Sequence, residues 1–465
     1  MNATVEQWEL LEIAKHEAEL AGIPAGPFTL ADCHGVFRKW LGADYDTDAL
    51  DAVLAAAAVE RLDGDPVWLL VISGSGNAKT ETVVPLAGIG AHMVSTIASE
   101  GALLSATSKR EQAADATGGL LRKIGDRGIL IIKDVTSILS MSGDQRASVL
   151  GALREVYDGS WARNVGTDGG QTLEWEGRLV VIGAVTTAWD KAHSVISAMG
   201  DRFVLVRMDS TKGRQAAGRQ AIGNTGSEVL MRSQLAGAAT RILAGLNLDQ
   251  VRVTAAETDM LLAAADIVTM ARTAVERDYR GDVVDAHAPE MPTRFAKQLT
   301  QIVRGSMALG MDRGHALRLA IRCARDSMPP LRLKIIDDVA ANPNTPTKDV
   351  RKRIGLPRAT VDRELQALNM LGVLQVDEVD GINPVNLRET TVWHYTLAGH
   401  IDPDALKYEN TVPEIAVPTL PLVKGSGTLG APTAESGTVT APALCFTCGD
   451  ALGDHEHGHH QECAA

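Results

Sequence analysis

Aromatic side chains are scarce in this chain of 465 residues, at 4%. That excludes an array of base-stacking platforms of the kind that grips single strands of nucleic acid. A basic surplus is missing too: 45 Lys and Arg face 58 Asp and Glu, for a net charge of -13. Bulk charge therefore cannot coat a polyanion, and any contact with nucleic acid must come from a local basic patch. The longest apolar runs, such as Pro66 to Ile72 and Gly128 to Ile132, fall far short of the roughly 20 residues a membrane helix needs. The opening MNATVEQWELLEIAKHEAEL carries acids where a secretory leader needs a basic and then an apolar stretch. Cysteine is sparse, five in all with three in the last 21 residues, and neither Cys33 nor Cys323 has a near neighbour in sequence. Nothing here suggests a disulfide framework. These absences predict a cytoplasmic protein without a membrane partner.

What is present is a globular composition, 45% hydrophobic and 22% charged, over a length that predicts two or three domains. Residues 1–60 show helical periodicity, as in VEQWELLEIAKHEAEL and DALDAVLAAAAVERL. From 61 to 215 short apolar runs (VWLLVI, HMVSTI, GILIIKD, RLVVIGAV and RFVLVRM) alternate with helical stretches. Strands separated by helices predict an α/β fold with a parallel sheet covered on both faces. Helical spacing returns over 216–328, a compact unit follows at 329–403, and 404–443 is a Pro-, Thr-, Gly- and Ser-rich linker. A Cys/His-rich segment, 444–465, closes the chain.

Directly after VWLLVI comes SGSGNAKTET, residues 73–82. A loop that ends a parallel strand and opens a helix aims backbone N–H groups at an anion. Ser75, Gly76, Asn77 and Ala78 would line that cradle, Lys79 would reach the terminal phosphates of ATP, and Thr80 would hold Mg²⁺, as in a P-loop. Ser73 and Ala78 stand where the pattern G-x-x-x-x-G-K-[ST] has glycine. Some fifty residues on, GILIIKDVTS ends an apolar strand in Asp134, where a carboxylate would meet Mg²⁺ through water.

With these motifs in this order, residues 66–210 and on to 325 resemble an AAA+ ATPase domain with its helical lid. The resemblance is to the clade with a hairpin before the first sensor, which includes minichromosome-maintenance and superfamily III helicases. SWARNVGTDGGQTLEWEGRLVVIGAVTT places a Gly-rich turn between two extended arms ahead of a core strand. The resemblance implies a pore hairpin that touches DNA, with Arg163 as its basic residue. It also implies that Thr186 or Thr187, closing VVIGAV, orients the attacking water, Thr187 being the candidate carried forward. Arg202, in MGDRFVLVRM, resembles the arginine finger given to the ATP site of the next subunit. Arg294, in PEMPTRFAKQL, is similar to a second-sensor arginine at the nucleotide. One departure matters: Val135 follows Asp134 where the family carries a glutamate that activates water. Glu81 or Glu100 could supply that base from another direction, and the departure leaves open slow hydrolysis or binding without turnover.

Residues 329–403 read as a winged helix. PPLRLKIIDDVAAN and TPTKDVRKRIGL predict two helices, and PRATVDRELQALNMLGV a third with Val361, Leu365, Leu368 and Leu371 on one face. Two strands around Gly381 make the wing. In helix-turn-helix docking the amino-terminal side chains of the third helix meet bases, which assigns Arg358, Thr360 and Arg363 to that task. Lys348, Arg351, Lys352 and Arg353 would grip phosphates. The unit resembles MarR- and ArsR-type wings and the terminal wings of replication helicases.

In CFTCGDALGDHEHGHHQEC, Cys445, Cys448, His460 and Cys463 have spacing suited to a closed tetrahedral Zn²⁺ site, with His455, His457 and His459 as rival ligands. The segment resembles zinc-knuckle tails. Three functions follow from these readings. The first is a DNA-remodelling ATPase or replication-initiation helicase of a phage or mobile element, working as a homo-oligomer with a hexamer as one option. The second is a nucleotide-responsive transcription regulator. The third is a helicase loader or partition-like adaptor that binds a partner helicase through residues 1–60.

Overall fold

Runs rich in Val, Leu and Ile form strands that are buried on both sides, and four such runs with one half-buried edge strand set the centre of this molecule. The structure is a computed structural model that describes residues 28–106, 118–166, 170–198, 201–209, 211–249, 251–382 and 389–407.

Helix α1 (Leu30–Leu41) starts in a reciprocal capping box between Thr29 and Asp32, and α2 (Thr47–Ala58) is capped by Asp46. Strand β1 (Trp68–Ser73) leads into the short α3 (Lys79–Val83), followed by β2 (His92–Val94), α4 (Glu100–Leu103), α5 (Leu120–Ile124) and β3 (Arg127–Ile132). After α6 (Thr136–Leu139) and α7 (Gly143–Tyr157), an antiparallel hairpin of β4 (Ser160–Val165) and β5 (Gln171–Glu176) precedes β6 (Arg178–Thr186). Helix α8 (Ala188–Ala198) and β7 (Val204–Arg207) complete this part. The five predicted apolar runs become β1, β2, β3, β6 and β7. They form one parallel sheet in the order β2-β3-β6-β1-β7. Side chains alternate between its faces, as the two-residue period requires. Leu69, Val71, Ile129, Ile131, Val180 and Ile182 enter one apolar core, while Leu70, Ile72, Leu130, Ile132 and Val181 enter the other.

Helices α9 (Arg214–Gly223), α10 (Glu228–Ala244) and α11 (Ala255–Ala271) follow. A small hairpin, β8 (Val275–Arg277) and β9 (Val283–Ala286), comes before α12 (Thr293–Ala308) and α13 (Arg313–Asp326). The alanine-rich α2 does not stand apart as an N-terminal element: Ala49 to Ala58 are buried along their whole length in the core beneath the sheet. Its small side chains allow close helix crossing. Where α12 passes, a Cβ on Gly305 would collide with the Ala55 carbonyl.

The last unit holds α14 (Pro330–Ala341), α15 (Thr347–Ile354) and α16 (Arg358–Met370) against an antiparallel sheet. Its strands, β10 (Thr345–Pro346), β11 (Leu374–Ile382) and β12 (Glu389–Leu397), lie in the order β10-β12-β11. Arg332, only 5% exposed, fastens this unit to α11. It donates to the carbonyls of Ala271 at 2.8 Å and Thr273 at 2.7 Å, and to Glu364 Oε2 at 2.9 Å. Removing the guanidinium would leave two carbonyls without their donor, at about 1–3 kcal/mol for each unsatisfied group, while Glu364 would keep its pair with Arg277.

Candidate nucleotide site and nucleic-acid interface

The chain leaves β1 at its carboxyl end and turns through Gly74–Ala78 into α3. The turn needs left-handed backbone at Gly76 (φ 75°) and at Ala78 (φ 53°). Glycine adopts this without cost, whereas alanine loses roughly 1–2 kcal/mol to its Cβ. Ala78 stands where the P-loop pattern has glycine, so the departure seen in the sequence is also a point of strain. Lys79 folds back over the loop, its Nζ donating to the carbonyls of Ser73 (3.1 Å) and Gly74 (2.5 Å). Burial lowers the Lys79 pKa, and the nearby Asp134 carboxylate opposes that shift. Asn77 Nδ2 braces the loop on Ser73 Oγ at 2.6 Å, while Ser75 and Thr80 are exposed.

Beside the loop lies a cavity of about 510 Å³. Gly76 to Glu81 form one wall, and Tyr45, Met208, Lys212, Asn224 and Arg232 contribute to the others. The buried bond between Tyr45 Oη and Thr82 Oγ1, 2.9 Å, ties α3 to the segment between α1 and α2. Arg232 reaches across from α10 to Glu81 at 3.2 Å. Tyr45, Lys212, Asn224 and Arg232 had no signature in the sequence; Tyr45 comes to the cavity from the α1–α2 segment, and the other three from in and around α9 and α10.

Strand β6 lies between β1 and β3, so its end falls between the loop and the Asp134 turn. Asp134 is exposed, and its Oδ1 accepts from the Thr136 amide at 3.0 Å. Thr136 Oγ1 in turn accepts from the Thr186 amide at 3.2 Å. Thr186 is thus held in the turn, while the neighbouring Thr187 is exposed. Val135 is 3% exposed and packs into the core, so the residue after Asp134 faces away from this edge. The two carboxylates considered as its replacement are both in ion pairs: Glu81 with Arg232, and Glu100 with Arg163 at 3.2 Å. Glu100 also accepts from Ser148 Oγ at 2.8 Å.

Arg202 and Arg294 lie at the opposite edge. Both guanidiniums sit over the ring of Tyr157, at 5.8 and 5.9 Å from its centroid, and that ring packs edge-on against Trp68, the first residue of β1. Arg202 pairs with Asp158 at 3.2 Å and Arg294 with Glu290 at 3.0 Å. At about 3.3 Å per residue, the six residues of β1 put roughly 20 Å between this cluster and Lys79. The structure brings Lys79, Thr80, Asp134 and the Thr186–Thr187 turn to one edge, and Arg202 with Arg294 to the other.

In the β4–β5 hairpin, Arg163 turns inward, bonding Glu100 and the Leu104 carbonyl (3.0 Å). In the last unit, Lys348, Arg351, Arg358 and Thr360 are exposed. Arg353 is held bidentately by Asp338 at 2.7 and 2.8 Å. Arg363, expected at a base edge, instead pairs with Asp282 Oδ1 at 2.9 Å and with the Arg280 carbonyl at 2.5 Å. The wing strands expose Asp377, Glu378, Asp380 and Glu389, a charge that repels phosphate. Cys445, Cys448, His460 and Cys463 lie outside the described residues, and among the described residues no group of three or more His, Cys, Asp or Glu could hold a metal ion. Nor, among the described residues, is any helix long and apolar enough to cross a membrane.

No family model matches the chain, and no curated protein matches it. Among solved structures, the A form apo structure of the NrS-1 C-terminal region (CTR) is a neighbour at 12% identity, with a TM-score of 0.26, covering 79% of this chain and 75% of that chain. A likeness of this size carries no argument about fold or function.

Proposed function

We propose that this chain is an ATP-binding and ATP-hydrolysing protein of AAA+ type that acts on DNA as a homo-oligomer. The observation that supports this most is the placing of β6 between β1 and β3, which gathers a phosphate-type loop, a carboxylate and a polar turn on one sheet edge beside a cavity. The loop suits a triphosphate. Its backbone N–H groups from Ser75 to Thr80 open a helix, Lys79 is half-buried beside it, and the cavity volume is right for a small ligand. Thr80 and Asp134 are the groups that would hold Mg²⁺, which would screen charge on the phosphates. Thr187 is the exposed hydroxyl at the end of β6, suited to orienting a water.

Arg202 and Arg294 cannot reach that loop in their own copy. In this reading they serve the site of a neighbouring copy, where a guanidinium offsets charge developing on the transferred phosphoryl. The contact with DNA falls on α15 and the start of α16, through Lys348, Arg351, Arg358 and Thr360, because the wing is acidic. The pairing of both candidate bases favours a second reading, a nucleotide-responsive DNA-binding regulator with slow turnover. Zn²⁺ binding by Cys445, Cys448, His460 and Cys463 rests on their spacing alone. The deciding experiment measures ATP hydrolysis with and without single- and double-stranded DNA, beside sizing with nucleotide. A motor gives DNA-stimulated turnover that Lys79→Ala abolishes. A regulator binds ATP and duplex with little turnover. Equal turnover in wild type and Lys79→Ala would remove the loop from the site.

A further inference from the structure

The β8–β9 hairpin packs against α16, and several of its charges are used inside the chain, while Glu276 and Asp285 stay exposed. Arg277 pairs with Glu364 Oε1 at 2.6 Å, and Asp282 pairs with Arg363 at 2.9 Å. Asp278 Oδ1 accepts the amides of Arg280 (2.8 Å) and Asp282 (2.9 Å), closing a tight turn at Gly281, φ 85°. What the turn presents outward is Tyr279, 87% exposed, with the Arg280 guanidinium stacked on its ring at 5.1 Å. Arg363, which grips the turn by both Asp282 and the Arg280 carbonyl, lies one helical turn from Thr360 on the same side of α16. The tip is therefore pinned beside the face of α16 that carries the exposed Thr360.

We propose that Tyr279 and Arg280 form a second contact with duplex DNA, gripping the sugar-phosphate backbone beside the groove that α16 enters, with Arg363 acting as the pin that positions the hairpin. Arginine on phosphate and a tyrosine ring against the sugar edge are the chemistry such a tip offers. This inference rests on the reading of α15 and α16 as the DNA-contacting helices, and it gives Arg363 a positioning task in place of base reading.

The test is binding of the full-length chain to a labelled mixed-sequence duplex across a salt titration, with thermal melting to confirm folding. Arg280→Ala should weaken binding several-fold and lower the slope of log K against log salt by about 1, as loss of one phosphate contact does. Arg280→Lys should keep the slope. Tyr279→Ala should weaken binding with the slope unchanged, and Asp282→Ala should weaken it by loosening the tip. Arg351→Ala tests the underlying reading. If Arg351→Ala weakens binding while the Arg280 variants match wild type, the hairpin contact alone is wrong. If Asp282→Ala binds more tightly, the hairpin masks α16 and the proposal is overturned. If the wild-type chain holds no duplex at any salt, both the reading and the inference fall.

Discussion

The two edges of the central sheet carry cations of opposite character. At the carboxyl edge, Lys79 and Arg232 border a cavity of about 510 Å³ and are held by loop carbonyls or a single carboxylate. At the amino edge, Arg202 and Arg294 share one tyrosine face, each with a carboxylate beside it, next to a void of only about 20 Å³. The first edge is concave and can take a ligand within one chain. The second is shallow. On the proposed reading of the ATP site, that difference calls for a second copy to supply the arginine.

The sharpest way to break the comparison is to disable each edge separately. Lys79→Ala should lose both nucleotide binding and hydrolysis. Arg202→Ala should bind nucleotide normally and lose hydrolysis by about 10³-fold, the scale of an arginine donated in trans. Mixing the two variants should restore part of the turnover, because some interfaces then combine an intact loop with an intact arginine. Failure of the mixture to recover would place Arg202 outside the site.

The helices joining the edges come next in size. Helix α12 begins at Thr293, beside Arg294, and crosses α2, which itself begins beside the cavity residue Asp46. Gly305→Ala forces a methyl group onto the Ala55 carbonyl, which is backbone and cannot swing away. We expect a stability loss of about 1–3 kcal/mol by denaturant unfolding, despite the better helix propensity of alanine.

A half-buried ion network also borders the cavity. Arg322 grips Asp46 at 2.5 and 2.7 Å, and Asp326 accepts the Arg207 amide at 2.8 Å. Burial pushes the Asp326 carboxyl up to about 6, against the pull of Arg207 and Arg322. Because this lies above the unfolded value of about 3.9, keeping Asp326 ionised costs stability. That cost is fully present above about pH 6 and fades as pH falls through 6 toward 4. Asp326 should therefore make stability rise on mild acidification, by at most about 1.4 kcal/mol per pH unit. Unfolding of Asp326→Asn between about pH 7 and pH 5 should show a flatter profile than wild type.

The smallest effect concerns the loop itself. Ala78→Gly removes the Cβ from a left-handed position and should relieve up to about 1–2 kcal/mol of strain, less the extra freedom glycine gains when unfolded. Calorimetry of ATP binding should show equal or modestly tighter affinity. Weaker binding would mean that the strain itself shapes the loop.

Four of the five strands were legible because a strand buried on both faces must be apolar throughout, and such runs stand out in a sequence; β2, at the sheet edge, is only half-buried. The loop before α3 and Asp134 at the end of β3 were legible as well, since each adjoins its strand. Their neighbours were not. Arg232 lies 151 positions from Glu81, and Arg363 meets Asp282 across 81 positions. Arg163 resembled an outward-facing hairpin cation until Glu100, 63 positions earlier, was seen to hold it. No local spacing encodes such pairs, so a basic residue reads the same in sequence whether it faces solvent or a carboxylate.

Hydrophobic period, turn residues and charge order, all local properties, thus determined the kind of sheet, the position of the loop and the presence of a basic helical unit. The strand order, the division of cations between two edges and the internal partners of Arg163, Arg202 and Arg363 were decided only in three dimensions. They depend on which distant helices pack together, and that is set by shape and burial summed over the whole core.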